Sequence, residues 1–325
     1  MFRKFLLLTL FAALLFGCAP AITPQPAPAA GFTQPVPAQT EAPAAALTPA
    51  GIILTDGLGR EVKLASPAQK IVSLAPSNTE ILFAVGAGIQ VIGRDEFSDY
   101  PAEAKALASV GGSMGNYSTE AIVALKPDLV LAAEINPPEL VKQLEGLGLT
   151  VYYLSNPKTI EEMYGNLAIV GQLTGRDTNA LTDSLKARVK VVDDLIAPTS
   201  ARPSVFYEID ATDPGKPYTY GPGTFGDLLI SRAGGSNIGG SLKDAYPQIS
   251  LEQIVASNPS IILLGDSIYG STPESVKARS GWDSIEAVKS GQIFPIDDNL
   301  ISRPGPRLVD GLEQLAKLFH PDLFK

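Results

Sequence analysis

STEAIVALKPDLVLA, residues 118–132, returns 132 residues later as SLEQIVASNPSIILL, residues 250–264, with seven of fifteen places identical. The shared skeleton is S-x-E-x-I-V-A-x-x-P followed by an apolar run. In each copy a serine (Ser118, Ser250) stands where a helix N-cap is preferred. A glutamate (Glu120, Glu252) falls in the first turn, where unpaired N–H groups and the positive end of the helix dipole favour a carboxylate. The proline then breaks the helix, and the run after it reads as a buried strand. A chain that states this unit twice is expected to be built as two halves of similar design.

The flanking sequence supports that expectation. ILTDGLGREVKL (53–64) carries turn residues between two short β-prone runs and predicts an opening hairpin. KIVSLAP (70–76) is a buried-strand run, followed by Ser77-Asn78-Thr79 as a helix cap and EILFAVGAG as a helix with its glycine stop. QVIGRD (90–95) predicts the next strand, and PELVKQLEGLG followed by TVYYL another helix and strand. Between 159 and 197 strands disappear. Leu181, Leu185, Val189, Val192 and Ile196 recur every three or four residues, with Asp177 as cap and Pro198 as stop, which predicts a helix of about five turns. Alternation then resumes through PSVFYEI, TFGDLLISRAGG, the second copy, QIFPID and a last helix, PRLVDGLEQLAKLF. The expected fold class is α/β: two Rossmann-like lobes, 51–158 and 199–325, with mostly parallel sheets. A single long backbone helix within 159–198 joins them, and a ligand cleft lies between them.

The first seventeen residues stand outside this scheme. Arg3 and Lys4 precede an apolar run from Phe5 to Phe16, too short to span a bilayer as a mature helix, so residues 1–17 read as a secretion signal. The run closes with L-F-G-C, the form of a bacterial lipoprotein signal cleaved to leave Cys18 as a lipidated N-terminus. The bland alternative is a signal peptide that happens to hold a cysteine. Cys18 is the one cysteine in the chain, and a thiol without a disulfide partner is a liability in an oxidising compartment. Residues 19–50 hold eight prolines and eleven alanines with one charge, Glu41, the composition of a semi-rigid spacer. With Cys18 they make an 18–50 linker, and the globular head begins near Gly51. Several acyl chains on Cys18 would tether the protein to a membrane through that lipid alone.

The remaining composition excludes several classes of function. Apolar residues make up 45% and charged residues 18% of the chain, as in folded proteins. Without residues 1–17 it has 23 cations against 34 anions, a net charge of −11, which argues against nucleic acid and against a polybasic membrane patch. A single histidine, His320, in an F-H-P-D context reads as a surface residue at a helix end and leaves no imidazole cluster for a metal. No thiol nucleophile or second histidine is present for catalysis. GDSIYG (265–270) misses the nucleophile-elbow spacing, and GAGIQVIG (86–93) the dinucleotide spacing. Carboxylate pairs such as Asp297-Asp298 could serve a glycosidase, but adjacent residues in a strand-end loop are more simply a solvated turn. The reading is therefore of a non-enzyme with no intrinsic cofactor.

For the two glutamates, helix capping is a sufficient local explanation. The alternative uses symmetry: on lobes related by a pseudo-twofold axis, Glu120 and Glu252 project from equivalent places beside the cleft mouth. There they would meet matching cations of a twofold-symmetric partner, setting register and encounter rate more than affinity.

Five ordered stretches, KIVSLAPSNTEILFAVGAG, FSDYPAEAKAL, STEAIVALKPDLVLA, SLEQIVASNPSIILL and RPGPRL, together resemble the substrate-binding proteins of ABC importers for cobalamin and iron–siderophores. The resemblance covers residues 51–325. It implies two lobes with one helical backbone between them, and the permease dimer with its ATPase as partner, docked through Glu120 and Glu252. It places ligand contacts at Ser77, Asn78, Phe97, Met114, Tyr218, Tyr246 and Arg303. The implied ligand is cobalamin or a related corrinoid, otherwise a ferric siderophore or haem. Close cobalamin-binding members carry tryptophans where this chain has Ala133 and Leu300. The implied protein is a monomer at the outer face of the bacterial cytoplasmic membrane, though a lipoprotein sensor without a transport role would share these features.

Overall fold

Ile52–Thr55 (β1) and Glu61–Leu64 (β2) pair as the expected antiparallel hairpin at the start of the computed structural model, which describes residues 51–112 and 115–325. Cys18, the spacer 19–50 and Met114 lie outside the described residues.

The N-terminal lobe runs β3 (Ile71–Ser73), α1 (Pro76–Ala84), β4 (Val91–Arg94), β5 (Ala108–Ser109), α2 (Thr119–Leu125), β6 (Leu129–Ala133), α3 (Pro138–Gly146) and β7 (Val151–Leu154). Its sheet is parallel, in the order β5-β4-β3-β6-β7. Two helices follow, α4 (Ile160–Thr174) and α5 (Asn179–Ile196). The C-terminal lobe continues with β8 (Ser204–Glu208), α6 (Phe225–Arg232), β9 (Ser236–Asn237), α7 (Leu251–Ser257), β10 (Ile261–Leu264), α8 (Pro273–Lys277), α9 (Glu286–Ser290), β11 (Ile293–Pro295), α10 (Asn299–Ser302) and α11 (Leu308–Phe319). Its sheet is also parallel, ordered β11-β10-β8-β9. In both sheets the chain starts at an inner strand, winds one way, then crosses to the other side. The strand direction of travel reverses at β3/β6 and at β8/β10, and ligand crevices in α/β sheets open outside the carboxyl ends at such points.

The sequence repeat is a structural repeat. Ser118 Oγ accepts from Ala121 N at 3.2 Å and Ser250 Oγ from Gln253 N at 3.3 Å, so each serine is the N-cap expected of it. Both seven-residue helices end on a left-handed residue that is not glycine, Lys126 (φ 51°) and Asn258 (φ 43°), each followed by proline. The strands that come next, β6 and β10, each pair with the first strand of their sheet.

Three expectations need correction. The joining segment is two helices, not one long helix. Gly175 closes α4 in the left-handed region (φ 70°), and Arg176 N returns to Gly171 O at 2.8 Å, a glycine-based stop. The predicted five-turn helix is α5, where Thr178 is the N-cap and Asp177 Oδ1 accepts from Asn179 N at 2.9 Å. Helix α1 begins at Pro76, whose fixed φ suits a first helical position. Ser77-Asn78-Thr79 therefore sit inside the first turn and are buried instead of capping it. His320, expected at the surface, is buried, with Nε2 3.3 Å from Gly234 O. The left-handed Gly234 (φ 85°) has no side chain to hold the ring away.

One continuous apolar core explains the lobes' association. Ile71 and Leu131 of the first sheet share a cluster with Leu167 of α4, Val189 of α5, and Val205 and Leu263 of the second sheet. The opposite face of each sheet packs only within its own lobe: Val72 and Val130 under Leu144 of α3, and Phe206 and Ile262 around Trp282. Alternate strand residues thus serve the shared core and the private one, which is why the strands read as unbroken apolar runs. The C-terminal lobe also holds one buried ion pair. Glu208, fully buried at the end of β8, takes both guanidinium nitrogens of Arg279 at 2.5 and 2.8 Å, and Arg279 stacks on Trp282 at 4.7 Å. Burial pushes the Glu208 carboxyl above its ordinary value, against the opposing pull of Arg279.

Arg279→Leu is expected to lower the unfolding free energy by about 3–5 kcal/mol, because it strands a buried carboxylate. Glu208→Leu combined with Arg279→Leu is expected to recover most of that loss. Urea denaturation of the three proteins checks both statements.

Candidate functional site

A cleft of about 460 Å³ opens at the β3/β6 reversal point and is closed on its far side by the C-terminal lobe. Ser77 lines it from the first turn of α1, and Glu134 and Ile135 from the turn after β6. Tyr246, Ser302 and Arg303 face them from the second lobe. The two strand ends are fastened by Asn136, which is fully buried. Its Oδ1 accepts from Ala133 N at 2.7 Å and its Nδ2 donates to Leu74 O at 3.1 Å and to Tyr117 Oη at 2.8 Å. The turn between Ala133 and Asn136 is held from inside, so Glu134 and Ile135 are turned out, with Ile135 73% exposed.

The lobes meet across the cleft at a buried carboxylate. Glu80, on the second turn of α1, has a side chain 1% exposed. Arg303 Nη1 lies 2.9 Å from Glu80 Oε1 and 2.7 Å from Asp99 Oδ1. Arg307 reaches Glu80 with Nε at 2.8 Å and Nη2 at 2.5 Å, and its guanidinium stacks on Tyr100 at 4.0 Å. Burial tends to lower the Arg307 pKa, but the bond and charge of Glu80 outweigh it and leave the guanidinium raised above its ordinary value. Beside this latch the loop that carries Phe97 is set by Asp95. Asp95 is buried and accepts from Phe97 N at 2.9 Å and from the Ser98 hydroxyl. Burial pushes the Asp95 carboxyl above its ordinary value, against those hydrogen bonds and the charge of Arg303.

The structure brings Ser77, Tyr246 and Arg303 together in the cleft wall. Phe97 stands beside them, 55% exposed, with its carbonyl 3.4 Å from Arg303 Nη2. Asn78 is different. It is buried, and its amide donates to Leu131 O at 3.1 Å, tying α1 to β6 instead of facing a ligand. Tyr218 is partly exposed and lies in an extended segment bridged to Asp210 and Gln248, outside the lining of this cleft. Arg303 was expected to offer its charge to a ligand, and the latch has already engaged it. Sequence reading missed Glu134, Ile135, Asn136, Glu80 and Asp99. For Glu134 and Ile135 a signal existed, their place after a core strand at the reversal point. For Glu80 and Asp99 none did. The expected solvated turn Asp297-Asp298 is half right: Asp297 is exposed, while Asp298 Oδ1 accepts from Tyr207 and Tyr220 hydroxyls, both at 2.8 Å.

Glu120 and Glu252 are exposed in the first turns of α2 and α7. The Glu252 carboxyl is held below its ordinary value by its own backbone N–H and then by Ser250. A second hollow, about 620 Å³, lies behind the latch between α1, α5 and α11. Most of its charged groups are mutually paired, Glu80 with Arg307 and Arg188 with Asp310 and Glu313, which leaves Glu103 as the one lining charge without an ion pair among the described residues. Among the described residues no group of three His, Cys, Asp or Glu is placed to hold a metal ion, and no helix is long and apolar enough to cross a membrane.

Comparison with known proteins places the chain in context. Residues 71–300 match the profile of the periplasmic binding proteins. The uncharacterized ABC transporter substrate-binding lipoprotein YvrC of Bacillus subtilis is 34% identical over 84% of this chain and 87% of its own length. The cobalamin-binding protein of Halobacterium salinarum is 31% identical over 82% of this chain and 73% of its own. Among solved structures, the periplasmic haem-binding protein RhuT of Roseiflexus superposes with a TM-score of 0.70 at 27% identity, covering 79% of this chain and 99% of that one.

Glu80→Ala is expected to loosen the interlobe contact without unfolding either sheet. Hydrogen exchange should quicken at residues 97–103 and 303–308 while the amides of β6 and β10 stay protected.

Proposed function

Because the chain belongs to the periplasmic binding protein family, we propose that it is the extracytoplasmic solute receptor of an ABC importer. In this reading it captures cobalamin or a related corrinoid and hands it to the permease dimer. The observation that carries the reading is the cleft: two α/β lobes meet over a reversal point, with Phe97, Ile135 and Tyr246 exposed around it. Large apolar side chains left in water at a groove are spent on a ligand more plausibly than on the fold, and a macrocycle offers matching flat apolar faces. The likeness to a cobalamin-binding protein along most of both chains supports the corrinoid. A second reading, haem or a ferric siderophore in the same cleft, draws on the likeness to the haem-binding structure.

Docking in this proposal falls to Glu120 and Glu252. Their support is that the two carboxylates are exposed at the same step of a structural repeat, one per lobe, so a partner with two equivalent cationic sites meets both at once. Cys18 is proposed to carry the lipid, with 19–50 as spacer, which sets a monomeric head at the outer face of the cytoplasmic membrane. The relative YvrC, itself named a lipoprotein, supports that arrangement.

Calorimetric titration against cyanocobalamin, aquocyanocobinamide, haem and a ferric hydroxamate tests the ligand. Saturable binding of a corrinoid is the expected result, and silence toward both corrinoids hands the cleft to the second reading. Glu120→Ala with Glu252→Ala is expected to leave ligand affinity unchanged and to abolish uptake. Undiminished uptake by the double variant removes the docking assignment.

A further inference from the structure

The charge around the cleft is lopsided, and this inference rests on the corrinoid reading of that cleft. Among the described residues Arg303 is the one cation in the cleft lining. It is held by Glu80 and Asp99, while Glu80 is shared with Arg307. Two guanidiniums thus face two carboxylates, with Asp297 a further 3.9 Å from Arg307, and among the described residues of the lining no positive charge is left over for a ligand. Glu134 is the remaining charged group of the lining. Its Oε2 accepts from Asn156 N at 3.2 Å, and it makes no ion pair among the described residues. The Tyr246 hydroxyl on the opposite wall is held above its ordinary value, first by partial burial and then by the charges of Asp298 and Glu134.

Glu134 has one partner among the described residues, the backbone N–H of Asn156, and that bond engages only one of its two carboxylate oxygens. Its side chain caps no helix and pairs with no cation, yet the buried Asn136 bonds present it to the cleft beside an equally outward Ile135. We propose that Glu134 is a specificity determinant that selects a corrinoid bearing amide N–H donors and a net positive charge, that is, a base-free corrinoid lacking the phosphodiester loop. The carboxylate accepts charge-assisted hydrogen bonds from the ring's amide side chains, and Ile135 and Tyr246 cover its apolar face. A phosphodiester or a propionate brought to the same edge meets Glu134 with no free cation to offset it. Haem and anionic ferric siderophores are disfavoured on the same ground.

The test is calorimetric titration of wild type, Glu134→Gln and Glu134→Lys with aquocyanocobinamide (a monocation), cyanocobalamin (net neutral, with an anionic phosphodiester) and haem (an anion). Glu134 is exposed, and an unchanged circular dichroism melt will show that the variants fold. Wild type is expected to bind the cobinamide about tenfold tighter than cobalamin; the ring amide donors are common to both, so the preference reports the Coulomb interaction of Glu134 with the net charge of one and the phosphodiester of the other. Glu134→Gln should erase most of that difference, and Glu134→Lys should invert it. Equal corrinoid affinities in wild type, or a preference unmoved by either variant, overturns the role of Glu134 and leaves the corrinoid reading standing. Tight haem binding with no corrinoid binding overturns both.

Discussion

Everything in the cleft is referred to one buried carboxylate. Glu80 sits where water cannot reach it, and a lone ionised group there would carry a desolvation cost of several kcal/mol. What offsets that cost is a pair of guanidiniums delivered from more than two hundred positions away in the chain, on the loop and helix that begin at Arg303 and Arg307. Neither lobe satisfies its own half: without the second lobe Glu80 is stranded, and without the first the two arginines repel. The contact therefore specifies one relative placement of the lobes, where apolar packing alone would tolerate several. It also fixes Arg303 as part of the wall and separates the front cleft from the hollow behind it.

The shared core acts in the same direction. Because α4, α5 and strands of both sheets share a single apolar cluster, a wide opening of the lobes would expose residues such as Leu167 and Val189 to water. Burying a side chain of that size is worth about 1.5–3 kcal/mol each. A two-helix connection stopped at Gly175 is compatible with slight rocking, in which helices slide and rotamers adjust. It does not supply the flexible strands that a large hinge swing would need. The ligand thus meets a groove already close to its working shape, and selectivity has to come from the groups presented there.

The parts of the fold that were legible in the sequence are those written locally. The repeat announced two equivalent helix-to-strand units because capping serine, first-turn glutamate and breaking proline act over a few residues, and the structure keeps even the left-handed ends at Lys126 and Asn258. What escaped was written in pairs of distant residues. Nothing near Glu80 advertises Arg303, nothing near Asp298 advertises Tyr207 and Tyr220, and His320 looks like a surface residue until Gly234 is seen beneath it. Asn78 misled for a related reason: it lies inside the first turn instead of capping it, and its amide is consumed by a strand carbonyl that only the parallel β3–β6 pairing brings near.

That division suggests how to tell a binding residue from a structural one when both are polar and both stand at a cleft. Asn136, Asn78 and Arg303 have their hydrogen-bonding capacity taken up by the protein itself, and removing any of them would be felt first as lost stability. Glu134, Ile135 and Tyr246 are the reverse case. An isoleucine left exposed after a core strand and a tyrosine left exposed on a loop across the cleft cost free energy in water, and a carboxylate with one backbone N–H and no cation keeps accepting capacity to spare. Side chains that folding engages only in part, and that a buried framework nonetheless holds in one place, are the ones a ligand is left to complete.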